Sequence, residues 1–250
     1  MPSIKWNKGW GTYSWSEDGD EWKGQAVYCG QPYEAWKESV HAAFILPYVS
    51  EDTAVVEVAP GHGRWSEFLI AHAGRVHLVD LNEACIEACR QRFAAHEQVT
   101  YAVTDGRSLP GVADATVDFI WSYDSFVHIE PDAIAGYLRE FARALRVGGR
   151  AVIHHAGRRD SMLRYSFLAR LGPPGRYLFK RLSMKRDTMG ATDGRRSMVS
   201  RELFARMARA AGLEVEFQVD SWGEQHQFDC KRFLDVVTCV RRAETNPSRA

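Results

Sequence analysis

Long apolar runs are missing from this 250-residue chain: the longest, residues 42–49, is broken by Pro47. It falls far short of the roughly 20 residues that span a bilayer. A disulfide framework is not indicated either, because the five cysteines are odd in number and lack paired short spacings. Cys85 and Cys89, four apart on a predicted helix, read as two small apolar side chains on one buried face. Net charge is also absent, with 32 Lys+Arg against 32 Asp+Glu. The first ten residues show neither an apolar stretch nor a small-residue cleavage site, so the expectation is a cytoplasmic protein. No internal repeat or low-complexity segment appears.

What is present is the material of one ordinary globular domain. Hydrophobic residues make up 45% of the chain. A chain of this length buries roughly 70–75% of its unfolded surface, enough for a core without disulfides or a structural metal. The zero net charge hides an asymmetry. Between Arg150 and Arg209 there are 15 Lys+Arg against 4 Asp+Glu, a local balance of +11, which leaves −11 for the rest. Such a basic stretch suits phosphate, carboxylate, nucleic acid or anionic lipid, or is simply a solvated helical face.

Residues 1–30 carry Trp6, Trp10, Tyr13, Trp15, Trp22 and Tyr28 among glycines, with little period, and read as an arm or lid. Residues 33–48 have the spacing of an amphipathic helix ended by Pro47. Strand-like and helix-like segments then alternate. Strands are predicted at 54–58, 75–80, 99–103, 117–122 and 150–155, and helices at 66–72, 83–95 and 132–146. Parallel neighbours require crossovers, so the alternation argues for a parallel sheet with helices on both faces. Two basic amphipathic helices hinged at Gly172-Pro-Pro-Gly175 are predicted within 158–199. A Ser200-capped helix follows, then two closing strands at 213–219 and 233–240. The domain reading is an arm over 1–30, a domain over 31–242 with a basic helical insertion at 158–199, and a frayed tail over 243–250.

Between the first strand and the first helix of the alternating region lies Glu57-Val-Ala-Pro-Gly-His-Gly63. Gly61 and Gly63 let a backbone approach a ligand closely, and the following helix presents free N–H groups. Asp80 ends the second strand, where a carboxylate can accept both hydroxyls of a ribose, with Leu81 next to it. Asp105 and Gly106 follow the third strand, at a position suited to the edge of an adenine.

These motifs resemble the class I S-adenosylmethionine-dependent methyltransferases, in detail over residues 50–155 and in element order to 240. The resemblance implies an α/β, Rossmann-like doubly wound sheet of seven strands, mostly parallel with the last strand antiparallel. It implies S-adenosyl-L-methionine as cofactor, held by Glu57, Ala59, Gly61, Gly63, Asp80, Leu81, Asp105, Gly106 and Ser122. Ala59 stands where the family usually has glycine. The segment Ser122-Tyr-Asp124-Ser-Phe-Val-His128 matches the one that lies beneath the methyl donor. A dinucleotide-binding dehydrogenase is the rival reading, but it would want a glycine at position 66, which is serine.

A hydroxyl acceptor must lose its proton, and His128 and His155 fall at the carboxyl edge of the predicted sheet as candidate bases. His154 is expected to point away from its neighbour, because strand side chains alternate. Asp124 is the candidate to orient the base or to hold a divalent cation such as Mg. A narrower resemblance, to bacterial methyltransferases of glycan and glycosylated natural-product pathways, implies a saccharide or glycoside acceptor and sugar O-methylation. An N-methyltransferase of small molecules, and an RNA methyltransferase using the basic segment, remain alternatives, with nucleic acid the weaker. A homo-oligomer is compatible with the sequence, and a membrane-surface or partner-binding role for the insertion could coexist with catalysis.

Overall fold

The structure is a computed structural model and describes residues 13–16, 19–20, 23–157, 174–175, 178, 182 and 197–243. Trp6, Trp10, Trp22, most of the basic insertion and all but the first residue of the tail lie outside them.

Nine strands are formed: β1 (Ala54–Val58), β2 (Arg75–Asp80), β3 (Val99–Val103), β4 (Val117–Phe126), β5 (Leu145–Ala156), β6 (Leu213–Val219), β7 (Ser221–Trp222), β8 (Phe228–Asp229) and β9 (Asp235–Arg242), among the described residues. Seven of them make the central sheet in the order β3-β2-β1-β4-β5-β9-β6. β9 inserts between β5 and β6 and runs antiparallel to both, while β1 to β5 pair in parallel. This is the expected seven-stranded α/β sheet. The small hairpin of β7 with β8 is an addition to the sequence reading, and it places Trp222 in the core.

The helices are α1 (Gly24–Cys29), α2 (Tyr33–Phe44), α3 (Ser66–His72), α4 (Glu83–Arg92), α5 (Pro131–Ala144) and α6 (Arg201–Ala210). Helix α2 buries Trp36, Val40, His41 and Phe44, the stripe that its spacing predicts. Pro131 opens α5, where a missing N–H costs nothing. The Ser200 hydroxyl caps α6 by accepting from the Leu203 backbone N–H at 3.2 Å.

Alternation along the strands sorts side chains into two cores. On one face Phe119, Trp121, Tyr123, Val152 and Val237 pack with Trp36 and Trp65; on the other Ile120, Ile153 and Val240 pack with Ile134, Leu138, Phe141 and Phe204. Each large side chain so buried stabilises the fold by about 2–3 kcal/mol in transfer terms. Several boundaries differ from the sequence reading: α2 stops at Phe44 and α4 at Arg92, and the closing strand runs Asp235–Arg242 and not 233–240. Residues 145–149 extend β5 instead of ending a helix, and β4 runs on to Phe126 through a register shift between Ser122 and Phe126. Asp124 lies within that irregularity at φ 61°.

The same alternation corrects one site assignment. His155, a candidate base, belongs to the second core: it is fully buried and stacked on Phe204 at 3.9 Å. Its Nδ1 lies 2.8 Å from the Ala156 carbonyl and its Nε2 2.7 Å from the Thr238 hydroxyl. Burial pushes the ring down to about 3. A neutral ring packed between a helix and a strand is a structural element. His155→Ala is therefore expected to lower unfolding free energy in urea by about 2–4 kcal/mol, through a cavity and the loss of one of the Thr238 hydroxyl's two partners, Gln218 Nε2 remaining at 3.0 Å. A loss below about 0.5 kcal/mol would contradict this packing role.

Candidate functional site

The carboxyl ends of β1, β2 and β4 converge on the glycine loop, and each predicted residue takes a distinct place there. Ala59 adopts φ 61°, a left-handed conformation that costs an L side chain roughly 1–2 kcal/mol. Its backbone N–H donates to the Val79 carbonyl at 2.7 Å, tying the loop to β2. That conformation explains why glycine is usual at this position. Gly61 and Gly63 follow at φ 59° and 90°. A Cβ on Gly63 would meet the Phe93 ring at 2.6 Å, so glycine is required sterically as well.

Asp80 is buried at the end of β2. Its Oδ1 accepts from the Asn82 backbone N–H at 2.8 Å, and its Oδ2 lies 3.4 Å from the Gly61 nitrogen. Burial raises it to about 6, against the pull of those donors. Leu81 next to it is half-buried. Glu57 is set deeper, accepting from the Ser66 hydroxyl at 2.6 Å, and burial raises it to about 8. It fastens helix α3 to β1 behind the loop. Ser122, also fully buried, donates to the Val58 carbonyl at 2.7 Å and joins β4 to β1. Both support the cradle from below.

Asp105 is exposed, and its Oδ1 gathers the backbone N–H groups of Arg107 and Ser108 and the Ser108 hydroxyl at 2.7–3.0 Å. Slight burial is outweighed by these donors, which hold the carboxyl low. Gly106 turns the chain at φ 87°. His128 is half-buried on the turn beyond β4, its backbone N–H donating to the Ser125 carbonyl.

The centre of the site is a residue that the sequence reading passed over. Arg64, directly after Gly63, is buried with a side-chain exposure of 7%. Its Nη1 donates to Asp124 Oδ2 at 2.8 Å, and its Nε lies 3.0 Å from Asp20 Oδ1 and 3.1 Å from the Tyr33 hydroxyl. The guanidinium also stands 4.8 Å over the Trp65 ring. Asp20 is bound in turn by the Tyr33 hydroxyl and by Lys37 Nζ at 2.8 Å. His154 approaches Asp124 from β5, its Nδ1 3.2 Å from Oδ1. A signal for Arg64 existed in its place immediately after the loop, at the entrance to an apolar helix; its partners in sequence were too distant to suggest themselves.

With one oxygen beside Arg64 and the other beside His154, Asp124 is an ion-pair carboxylate. Among the described residues no group of three or more His, Cys, Asp or Glu could hold a metal. The cysteines are free; Cys85 and Cys89 are buried on α4 as expected, and the Cys89 thiol donates to the Gly61 carbonyl at 3.3 Å. From the predicted arm, Trp15 lies over the loop: its ring stacks on His62 at 5.2 Å, and a Cβ on Gly61 would approach it to 3.0 Å. No described helix is long and apolar enough to cross a membrane.

Residues 55–149 match the family model of a methyltransferase domain. No curated protein matches the chain in sequence. Among solved structures, geranyl diphosphate C-methyltransferase from Streptomyces coelicolor A3(2), with Mg2+, geranyl diphosphate and S-adenosyl-L-homocysteine, gives a TM-score of 0.64 at 18% identity, over 97% of this chain and 99% of that one. A protein of Pyrococcus horikoshii OT3 gives 0.59 at 20% identity, over 92% and 100%. A geranyl diphosphate methyltransferase in complex with S-adenosylmethionine gives 0.57 at 19% identity, over 91% and 94%. What is shared at these identities is the fold, and the glycine loop, Asp80, Asp105 and Asp124 all fall inside the matched methyltransferase segment.

The carboxyls behind the loop give a pH signature. Glu57 has a folded pKa of about 8 against an ordinary 4.5, so the folded state binds the extra proton between those values. Stability from this group is complete below about pH 4.5 and is lost as pH rises through about 8. Glu57→Gln removes that slope. Urea unfolding of both proteins from pH 5 to 8.5 is expected to show the variant gaining on the wild type by about 1 kcal/mol per pH unit; parallel curves would contradict the burial of an ionisable Glu57.

Proposed function

We propose that the chain is an S-adenosylmethionine-dependent methyltransferase that methylates a hydroxyl of a small molecule, a saccharide or glycoside being the acceptor class. The observation that carries the reading is the glycine turn 59–63 held against the buried Asp80 carboxylate, within a segment matching a methyltransferase domain. The residues present fit this cofactor. Asp80 can accept from both ribose hydroxyls, and the loop offers backbone rather than bulk.

The cofactor supplies a methyl group on a sulfonium, and the protein's work is to hold the acceptor in line with it. Asp124, ionised beside Arg64 and His154, accepts from the acceptor hydroxyl and orients it. His128 takes the proton, a step for which histidine is a fitting residue type near neutral pH. The ring of Trp15 over the loop, with Tyr13 edge-on to it, supports a saccharide, whose C–H faces stack on flat aromatics. A second acceptor class, a prenyl diphosphate, is favoured by the near full-length likeness to geranyl diphosphate C-methyltransferase together with the +11 segment.

Calorimetric titration is expected to show S-adenosylmethionine binding the wild type and binding Asp80→Ala at least about tenfold more weakly, for the loss of hydrogen bonds to a charged group. Binding of NAD(H) in place of the sulfonium ligand would overturn the cofactor reading. Mass-spectrometric screening of nucleotide sugars, glycosides, geranyl diphosphate and RNA, with and without EDTA, is expected to yield a methylated saccharide. Methylation confined to the diphosphate or to RNA would overturn the acceptor class.

A further inference from the structure

We propose that His154 is a positioning residue for Asp124: its imidazole, wedged between Asp124 and the buried Asp235, fixes the carboxylate at the acceptor end of the site. Alternation along β5 sends His154 to the face opposite His155, where it is fully buried with Tyr123 stacked on it at 4.2 Å and 11°. Its Nδ1 meets Asp124 twice, at 3.2 Å from Oδ1 and 3.1 Å from the backbone nitrogen. A neutral Nδ1 accepts that backbone N–H, and a protonated one donates to the carboxylate, so either form of the ring holds the same residue. Behind it, Nε2 stands 3.6 Å from Oδ2 of Asp235, whose side chain has no exposure at all.

Two further observations point to function in this arrangement. Asp124 holds φ 61° inside the irregular stretch of β4, a strain of about 1–3 kcal/mol that persists only where the surroundings over-determine it. And a carboxylate as deeply buried as Asp235 is costly unless it serves a partner; at 3.6 Å from Nε2 it acts on the imidazole through its charge and not through a hydrogen bond. Among the described residues, the groups facing Asp124 include Arg64 from the loop, His154 from β5 and Tyr123 from β4, with Asp20 and Tyr33 across Arg64 and Asp235 beyond His154. Burial alone would raise Asp124, but His154 first and Arg64 second outweigh it and hold the carboxyl well below its usual range. The result is a carboxylate that stays ionised and still through the cycle, with 31% of its side chain open to the site.

The catalytic consequence rests on the reading of Asp124 as the residue that orients the acceptor, whereas the geometry does not. In full-length protein carrying 13C-labelled aspartate, the Asp124 carboxyl signal is expected to stay flat from pH 8 to 4.5. In His154→Asn its midpoint rises to or above the ordinary carboxylate value of about 4, and in Asp235→Asn, which keeps the shape and removes only the charge behind the ring, it moves the same way by less. Turnover of a methylated acceptor is expected to fall by about ten- to a hundredfold in kcat for His154→Asn, with a new acidic limb and donor affinity within about twofold. A purely structural His154 would lower Tm and leave the acidic limb where it is. A wild-type Asp124 titrating near 4, or a flat signal in both variants, would overturn the proposal. Failure of the wild type to methylate any hydroxyl would overturn the acceptor reading instead, and the titration would still decide whether His154 positions Asp124.

Discussion

A guanidinium buried beside two carboxylates is the constraint on which the site depends. Arg64 cannot be left alone in the interior, because an unpaired buried charge costs several kcal/mol. Its partners come from three separate parts of the chain: Asp20 and Tyr33 on the amino-terminal side, and Asp124 at the end of β4. Satisfying one side chain therefore fixes where the glycine loop, the first segment and the acceptor end of the site stand relative to one another. The loop's own geometry follows: Ala59 and Gly63 are carried through left-handed conformations between β1 and the Arg64 anchor.

The carboxyls around this anchor are set in opposite senses. Glu57 and Asp80 are raised because burial dominates, while Asp124 is lowered because cationic partners overcome burial. The first pair lies behind the nucleoside end of the proposed cofactor site, where neutral hydroxyls are bound. Asp124 lies at the other end, a fixed negative charge at the proposed acceptor site. Environments that push like residues apart are how one fold divides binding from chemistry.

Much of this was legible in the chain. Alternating β-branched and amphipathic segments dictated the doubly wound sheet, and the spacing from Gly63 to Asp80 placed a carboxylate beside the turn, as observed. Other features depend on register, which short segments do not encode. Alternation told that His154 and His155 face opposite ways, but not which faces the site; the path of β4 beyond Ser122 decides that. The run of β4 to Phe126 and the growth of β5 back to Leu145 arise from pairing between neighbouring strands, against local turn signals at Gly148 and Gly149. Arg64 drew no role from the sequence because Asp20 and Asp124 lie 44 and 60 positions away.

The most direct measurement of the Arg64 junction is a double-mutant cycle on Asp20→Asn and Asp124→Asn, followed by urea unfolding. The two carboxylates act on each other through the guanidinium they share. Either single variant leaves Arg64 one of these two carboxylates, whereas the double variant strips both from the buried cation. The expected result is a double variant less stable than the sum of the singles by more than about 0.5 kcal/mol. Additivity within about 0.3 kcal/mol would contradict the account, since the arm and the acceptor end of the site would then be held independently.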